Sequence, residues 1–295
     1  HSFMSKYLWQ TLDCLLFSNI FIALCAVAQA LVTYKLLDVK PDTTILAVLF
    51  CATLALYNFS ILLSKPKNPR ASPFRRVRWI FSHYRLNATL TIIATFSLMP
   101  LALFLSIPAL ILLSFLGLIS IAYNVPIFRF HHQWFGLRNL PGVKLFLIAL
   151  VWSLSCVLLP IVELENTQAF DFPTRDVVLL VVHEFLFMAA ITVPFDVRDL
   201  FQDKQNSLQT LPTMLGEKRA MLLCYGFLLF YLILLLLPIH PLNLWNAAGL
   251  ILSICLSAWV ISKSNPSRNE YFYFLFLDGM MIVQLLILLT MNMLA

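Results

Sequence analysis

The sequence predicts an all-α integral membrane fold, a bundle of about nine transmembrane helices, and three observations carry that prediction. Of the 295 residues, 61% are hydrophobic and only 12% are charged, about half the charged share of a soluble domain. Mean hydropathy is correspondingly high, at +0.87. Apolar runs close to the ~20 residues that cross a bilayer recur along the whole length. Strand-like alternation is absent, and a backbone in lipid must satisfy its own hydrogen bonds, so helices are preferred to a barrel. No polar, Pro/Gly-rich linker divides the chain, and residues 1–295 read as one transmembrane helical domain.

The apolar runs predict helices over 12–37, 43–64, 86–104, 108–123, 143–162, 177–193, 219–237, 242–261 and 271–294. The first is too long for the apolar core of a signal peptide and lacks a small-residue cleavage site. His1-Ser2-Phe3, ahead of Met4, reads as an added leader outside the fold. The stretch 86–123 contains Pro100 and Pro108 and reads as a helical hairpin broken between them. The six cysteines fall mostly inside apolar runs, without metal-ligand spacing, and behave as small buried hydrophobes.

Orientation follows from charge. With the N-terminus inside, 17 of the 20 Lys and Arg residues fall in cytoplasmic segments, leaving Lys35, Lys40 and Arg175 outside. That is the positive-inside pattern of a polytopic protein of the cell inner membrane. Arg75, Gln133, Gln205 and Asn265 are then cytoplasmic, while Asp42, Asn166 and Pro241 face the other side. The net charge of +6 is explained by topology, and nucleic-acid binding is not invoked. Basic clusters such as Arg75-Arg76-Val77-Arg78-Trp79 meet anionic membrane lipids in this setting.

The densest chemistry follows the sixth helix, at Pro194-Phe195-Asp196-Val197-Arg198-Asp199-Leu200-Phe201-Gln202-Asp203. On a continuous helix its three carboxylates project at about 0°, 300° and 340° and share one face. Carboxylates so placed suit hydrated Mg²⁺ held between protein and substrate phosphates. A solvated helix end fits the same pattern.

Asp196-x-x-Asp199-x-x-x-Asp203, followed by Thr210-Leu211-Pro212 and Gly216, resembles the second aspartate-rich motif of the UbiA superfamily of intramembrane prenyltransferases. Tyr123-x-x-Pro126-x-x-Arg129, with Lys144 further on, is similar to the family's cytoplasmic segment after the corresponding helix. The resemblance covers nearly the whole chain. It implies a UbiA-like bundle around a central cavity, in which two acidic motifs hold Mg²⁺ and an isoprenoid diphosphate beneath cytoplasmic loops. The implied reaction ionises the diphosphate and transfers the prenyl group to a lipophilic acceptor, or cyclises the chain. The resemblance assigns metal binding to Asp196, Asp199 and Asp203, with Asp199 and Asp203 leading and Asn58 assisting catalysis. Arg70, Tyr123, Arg129 and Lys144 are then candidates for the substrate.

One departure is plain. The family's first motif, near Asn-x-x-x-Asp-x-x-x-Asp, corresponds here to Asn58, Leu62 and Pro66, so two carboxylates are missing. The loop that follows supplies Lys65, Lys67, Arg70, Arg75, Arg76 and Arg78 instead. Such cations hold phosphate oxygens without metal, or simply obey the positive-inside rule. His183, Glu184 and Asp278 lie inside predicted spans, where ionisable groups face a bundle interior or wet cavity. They suit cation stabilisation or proton removal, or mutual pairing with Gln29 and Gln284 between helices. No P-loop, zincin, Ser-His-Asp or Cys-x-x-Cys element is present. The alternatives to an enzyme are a non-catalytic UbiA-fold protein that binds a lipid or partner, and a small transporter.

Overall fold

The computed structural model describes residues 2–240 and 242–295, so His1 and Pro241, both named above, lie outside the described residues. Ser2 and Phe3, read as part of a leader, already belong to the first helix. Fourteen α-helical segments and one hairpin follow in chain order among the described residues. Seven helices among the described residues are long and apolar enough to cross a membrane, and a bent pair makes an eighth.

The bent pair is α1 (Ser2–Phe17) and α2 (Ile20–Leu36), inclined at 63°. One helix over 12–37 was expected; the chain starts its helix earlier and breaks it at Ser18-Asn19. Asn19 carries φ 67, a left-handed conformation that Asn tolerates because its short polar side chain bonds locally. Next comes α3 (Thr43–Leu63), capped by Asp42, which accepts from the backbone N–H of Thr44 and Ile45 at 2.9 and 3.4 Å. The basic loop then folds α4 (Arg75–Ser82), which hydropathy alone does not reveal, because only Ile80 of its eight residues is buried.

The expected hairpin is α5 (Tyr84–Ala102) and α6 (Ile107–Asn124). Its tip is fastened by Glu163, which accepts from the Ser106 backbone N–H at 3.1 Å and from its hydroxyl at 2.7 Å. A small antiparallel pair, β1 (Phe128–Phe130) and β2 (Gln133–Phe135), opposes Phe128 to Phe135. The fifth span is one 25-residue helix, Val143–Thr167: α7 (Val143–Ser153), a π turn at Leu154–Leu158, and α8 (Leu159–Thr167).

The most buried span is α9 (Thr174–Arg198). It runs a turn beyond the expected 177–193, because Pro194 is accommodated inside it. Two short helices, α10 (Leu200–Gln205) and α11 (Leu211–Leu215), lead into α12 (Glu217–Leu234). The last two spans are α13 (Leu244–Ser262), then a π turn at Phe272–Leu277 continued by α14 (Met280–Leu294).

Between lipid-immersed helices there is little hydrophobic drive, so close packing and interhelical hydrogen bonds hold the bundle. Small residues supply the packing: Ala23, Ala30, Ala149, Ala189 and Ala190 are fully buried. At Gly249 a Cβ would meet Leu288 Cδ2 at 2.9 Å. Gln29 Nε2 donates to the Met281 carbonyl at 2.8 Å, Thr33 Oγ1 to the Cys156 carbonyl at 2.8 Å, and Gln284 Nε2 to Ser253 Oγ at 3.1 Å. The expected glue role of Gln29 and Gln284 is thus seen, without His183, Glu184 or Asp278 taking part in those bonds.

Contacts sort the loops into two ends. One end joins Asp13 to Arg75 at 2.6 Å and to Tyr271, and the Gly142 N–H to the Gln209 carbonyl at 3.0 Å. The opposite end joins Ser106 to Glu163, and Arg175 Nη1 to the Pro238 carbonyl at 3.0 Å. The basic loops therefore collect at a single mouth.

Candidate functional site

At that mouth the bundle opens into a cavity of about 190 Å³. Its rim carries Arg76, Lys144, Asp196 and Arg198, and its apolar walls include Ile148, Trp152, Met188 and Phe274. Asp278 faces the same space. An apolar chamber beneath a ring of cations suits a ligand with an anionic head and a greasy body.

Arg76 is placed by local structure. It is the second residue of α4, whose N-terminus is tied down where the Arg76 N–H donates to Glu270 Oε2 at 2.8 Å. Its guanidinium donates from Nη2 to Asn19 Oδ1 at 2.6 Å and lies over the Phe274 ring, 4.6 Å from the centroid. Asn19 donates in turn to Asn58 Oδ1 at 2.8 Å, and Asn58 Nδ2 donates to the Ser18 carbonyl at 3.1 Å. The left-handed break between α1 and α2 thus aims Asn19 at Arg76, and Asn58 buttresses the break.

Arg198 ends α9 and reaches the same aromatic ring, with its guanidinium carbon 5.3 Å from the Phe274 centroid. Asp199 engages it in a fork, Nε donating to Oδ1 at 2.8 Å and Nη2 to Oδ2 at 3.2 Å. Arg76 Nε and Arg198 Nη1 remain buried with no hydrogen-bond partner among the described residues. Burial, and then the neighbouring Arg198 charge, push the Arg76 pKa down to about 10, so it is still charged at neutral pH. Two like charges held together with spare donors are an anion site in electrostatic terms.

The remaining expected site residues divide. Lys144, in the first turn of α7, pairs with Asp196 Oδ1 at 2.8 Å. Asp203 is buried, and burial raises its pKa while Lys144 opposes the shift. Tyr123 is half-buried within the field of Lys144, Asp196 and Asp203. The structure therefore gathers Tyr123, Lys144, Asp196 and Asp203. It separates Asp199, which turns to Arg198, because α9 ends at Arg198 and a new helix starts at Leu200. Arg70 is exposed on a 3-10 turn. Arg129 is exposed on β1, with its guanidinium 5.8 Å from the Trp134 ring centroid. Neither lines the cavity.

These donors do not suit the Mg²⁺ that the resemblance implies. Asp196 is engaged by Lys144 and Asp199 by Arg198. Leu62 and Pro66 provide nothing, and Pro66 lies beyond the end of α3 at Leu63. Among the described residues no three His, Cys, Asp or Glu side chains converge to hold an ion. The continuous acidic face expected over Asp196, Asp199 and Asp203 does not form as a metal site in this arrangement.

Sequence reasoning left Arg76 in an undivided basic loop, gave Arg198 no role, and missed Asn19. The loop's charge signalled a cationic rim, but only the break at Asn19 selects Arg76 from its neighbours.

Comparison with protein-family models and with curated protein sequences gives no match. Solved structures are similar in fold. A UbiA homologue from Archaeoglobus fulgidus bound to GPP and Mg²⁺ has a TM-score of 0.66 at 11% identity, with 95% of this chain and 98% of that chain covered. An apo UbiA homologue from Aeropyrum pernix K1 gives 0.62 at 16% identity, with 93% and 98% covered. A structure described for digeranylgeranylglyceryl phosphate synthase gives 0.58 at 15% identity, with 96% and 98% covered. The fold of this chain is the UbiA fold, over essentially its full length.

Proposed function

We propose that the protein is an intramembrane enzyme acting on an isoprenoid diphosphate, by prenyl transfer to a lipophilic acceptor or by cyclisation. One observation carries the reading: two half-buried guanidiniums, each with one buried and unused donor, are joined by Lys144 and crown an apolar cavity walled by aromatic rings. The fold's relatives support the substrate class, since A. fulgidus UbiA homologues are described with GPP and with DMAPP.

The chain's own residues suit the steps. Arg76, Arg198 and Lys144 would neutralise the diphosphate as its C–O bond lengthens, the moment at which fixed positive charge favours the transition state. The faces of Trp152, Phe195 and Phe274 would shelter an allylic cation, and the lipid-embedded walls would keep water away. The lack of a carboxylate triple favours a second reading, in which the same site holds a prenyl diphosphate without turning it over.

Product analysis by mass spectrometry separates these readings. The purified protein is incubated with geranyl, farnesyl or geranylgeranyl diphosphate, with and without membrane extract, and in Mg²⁺ or EDTA. A hydrocarbon indicates cyclisation, and a mass gain on an extract lipid indicates transfer. We expect diphosphate binding to fall less than about tenfold in EDTA, because protein cations do the holding. Complete loss of binding in EDTA would overturn the metal-free arrangement. Diphosphate binding without any product would leave the second reading.

The site would open to the cytoplasm. Single-cysteine variants at Gln205 and Asn265, in a background lacking the native cysteines, should resist an impermeant reagent added to intact cells, while Asp42 and Asn166 variants should react. Labelling of Gln205 from outside would reverse the orientation.

A further inference from the structure

Transfer of an allylic group from its diphosphate to a neutral X–H acceptor, or its cyclisation to a hydrocarbon, leaves a proton behind. The C1–O bond breaks and its electron pair departs with the diphosphate. A new bond forms at the cation from an acceptor or from a double bond of the same chain, or a C–H bond is lost. In each case one proton must be taken up. A cavity dry enough to protect the cation offers no bulk water for it, so the proton goes either to the departing diphosphate at the mouth or to a protein base that faces the cavity at the depth of the reacting carbons.

Only two carboxylates, Asp196 and Asp278, border the cavity among the described residues. Asp196 is at the rim and is held by Lys144. Asp278 follows the π turn of the last span, four residues beyond Phe274 on the same wall. It is buried, yet its carboxylate makes no hydrogen bond or ion pair among the described residues. Its own backbone is fixed: the Asp278 N–H donates to the Tyr273 carbonyl at 3.2 Å, and Cys25 Sγ donates to the Asp278 carbonyl at 3.5 Å. The strongest charges acting on it are Arg76 and Arg198, the groups that would hold the diphosphate. Tyr57, from α3, borders the same space. An unpaired carboxylate at membrane depth is costly unless it serves the site it faces.

We infer that Asp278 is the proton acceptor of the cavity reaction, a catalytic residue one helical turn deeper than the aromatic ring on which both guanidiniums rest. The inference rests on the proposed function. A diphosphate gripped by Arg76 and Arg198 would send its prenyl chain inward past Phe274, bringing the reacting carbons to the level of Asp278. The carboxylate would take the acceptor's X–H proton, or a C–H proton beside the cation, and become a neutral acid. The diphosphate leaves with its electrons, so atoms and charges balance without a further reagent.

The test compares wild type with Asp278→Asn and Asp278→Glu, measuring geranyl diphosphate affinity, diphosphate release and organic products. Asp278→Asn should keep affinity within about twofold and lower the deprotonated or transferred product by at least about 100-fold, the contribution of a positioned base. Diphosphate release should fall less, with the difference recovered as prenyl alcohol, formed when the longer-lived cation is met by water entering from the cytoplasmic mouth, which also carries the proton away. Asp278→Glu should restore part of the product. If Asp278→Asn does not fold, Asp278→Ala assayed with added formate replaces it; recovery of product supports the role and its absence overturns it. Wild-type products and rates in Asp278→Asn would also overturn it, as would a parallel loss of affinity, release and product, the signature of a structural residue. Wild-type protein that releases no diphosphate from any of the three prenyl diphosphates would remove both the proposed function and this inference.

Discussion

Replacing Arg76 and Arg198 together with glutamine should abolish measurable binding of geranyl diphosphate. Each guanidinium offers charge-assisted hydrogen bonds worth about 1.5–3 kcal/mol apiece, so each substitution alone is expected to weaken binding roughly ten- to hundredfold. The pair should lose roughly 100- to 10,000-fold, with some non-additivity because both residues grip one ligand. The folded protein should survive. Arg76 and Arg198 oppose each other electrostatically in the free state, and removing one relieves that repulsion. Arg70→Glu is the matched control, since Arg70 is exposed and away from the cavity, and it should leave affinity within about twofold at 0.15 M salt, where exposed charges are screened over ~8 Å. Titration of the detergent-solubilised variants by calorimetry decides the matter. A strong loss in Arg70→Glu with none in Arg76→Gln would move the anion site out to the loop.

The contrast between Arg70 and Arg76 also marks where the sequence stopped being legible. Helix positions could be read because each span must carry about 20 apolar residues in lipid, and the hairpin break between Pro100 and Pro108 followed from backbone chemistry. The two π turns leave no hydropathy signal, because their residues stay as apolar as the helices around them, and Ser18-Asn19 are only two polar residues inside a long apolar run. The acidic segment was visible as residues but not as a site. Its angles assumed an unbroken helix, whereas the chain stops at Arg198 and lets Asp199 fold back on that guanidinium. Choosing Arg76 from six neighbouring cations required knowing that Asn58 holds Asn19 and Asn19 holds Arg76. That relay joins positions 39 and 57 residues apart, which no local pattern encodes. Asp278 was legible as an ionisable residue in a span, but its freedom from partners was not.

Lys144→Met should be the most damaging single substitution for stability. Lys144 Nζ lies 2.8 Å from Asp196 Oδ1, and the Lys144 and Asp196 side chains are only 15% and 1% exposed. Removing one member of such a pair leaves the other charge buried and uncompensated, at a cost of about 3–5 kcal/mol, although the intact pair need contribute little net stability. The double variant Lys144→Met/Asp196→Asn should therefore recover most of the loss, since no unpaired charge remains. Equilibrium unfolding of the four proteins in one detergent gives the coupling directly. Additive losses, with no recovery in the double variant, would mean that Asp196 is not sustained by Lys144. The same set of proteins separates packing from binding. If Lys144 also holds the diphosphate, the double variant will be stable yet bind geranyl diphosphate roughly tenfold more weakly, the loss of one charge-assisted contact. If Asp196 instead binds an ion in the loaded state, Asp196→Asn alone will make binding indifferent to Mg²⁺ and EDTA where wild type is sensitive. A stable double variant with reduced affinity, and no metal effect in any of the four, is the pattern expected of a site held by its own cations.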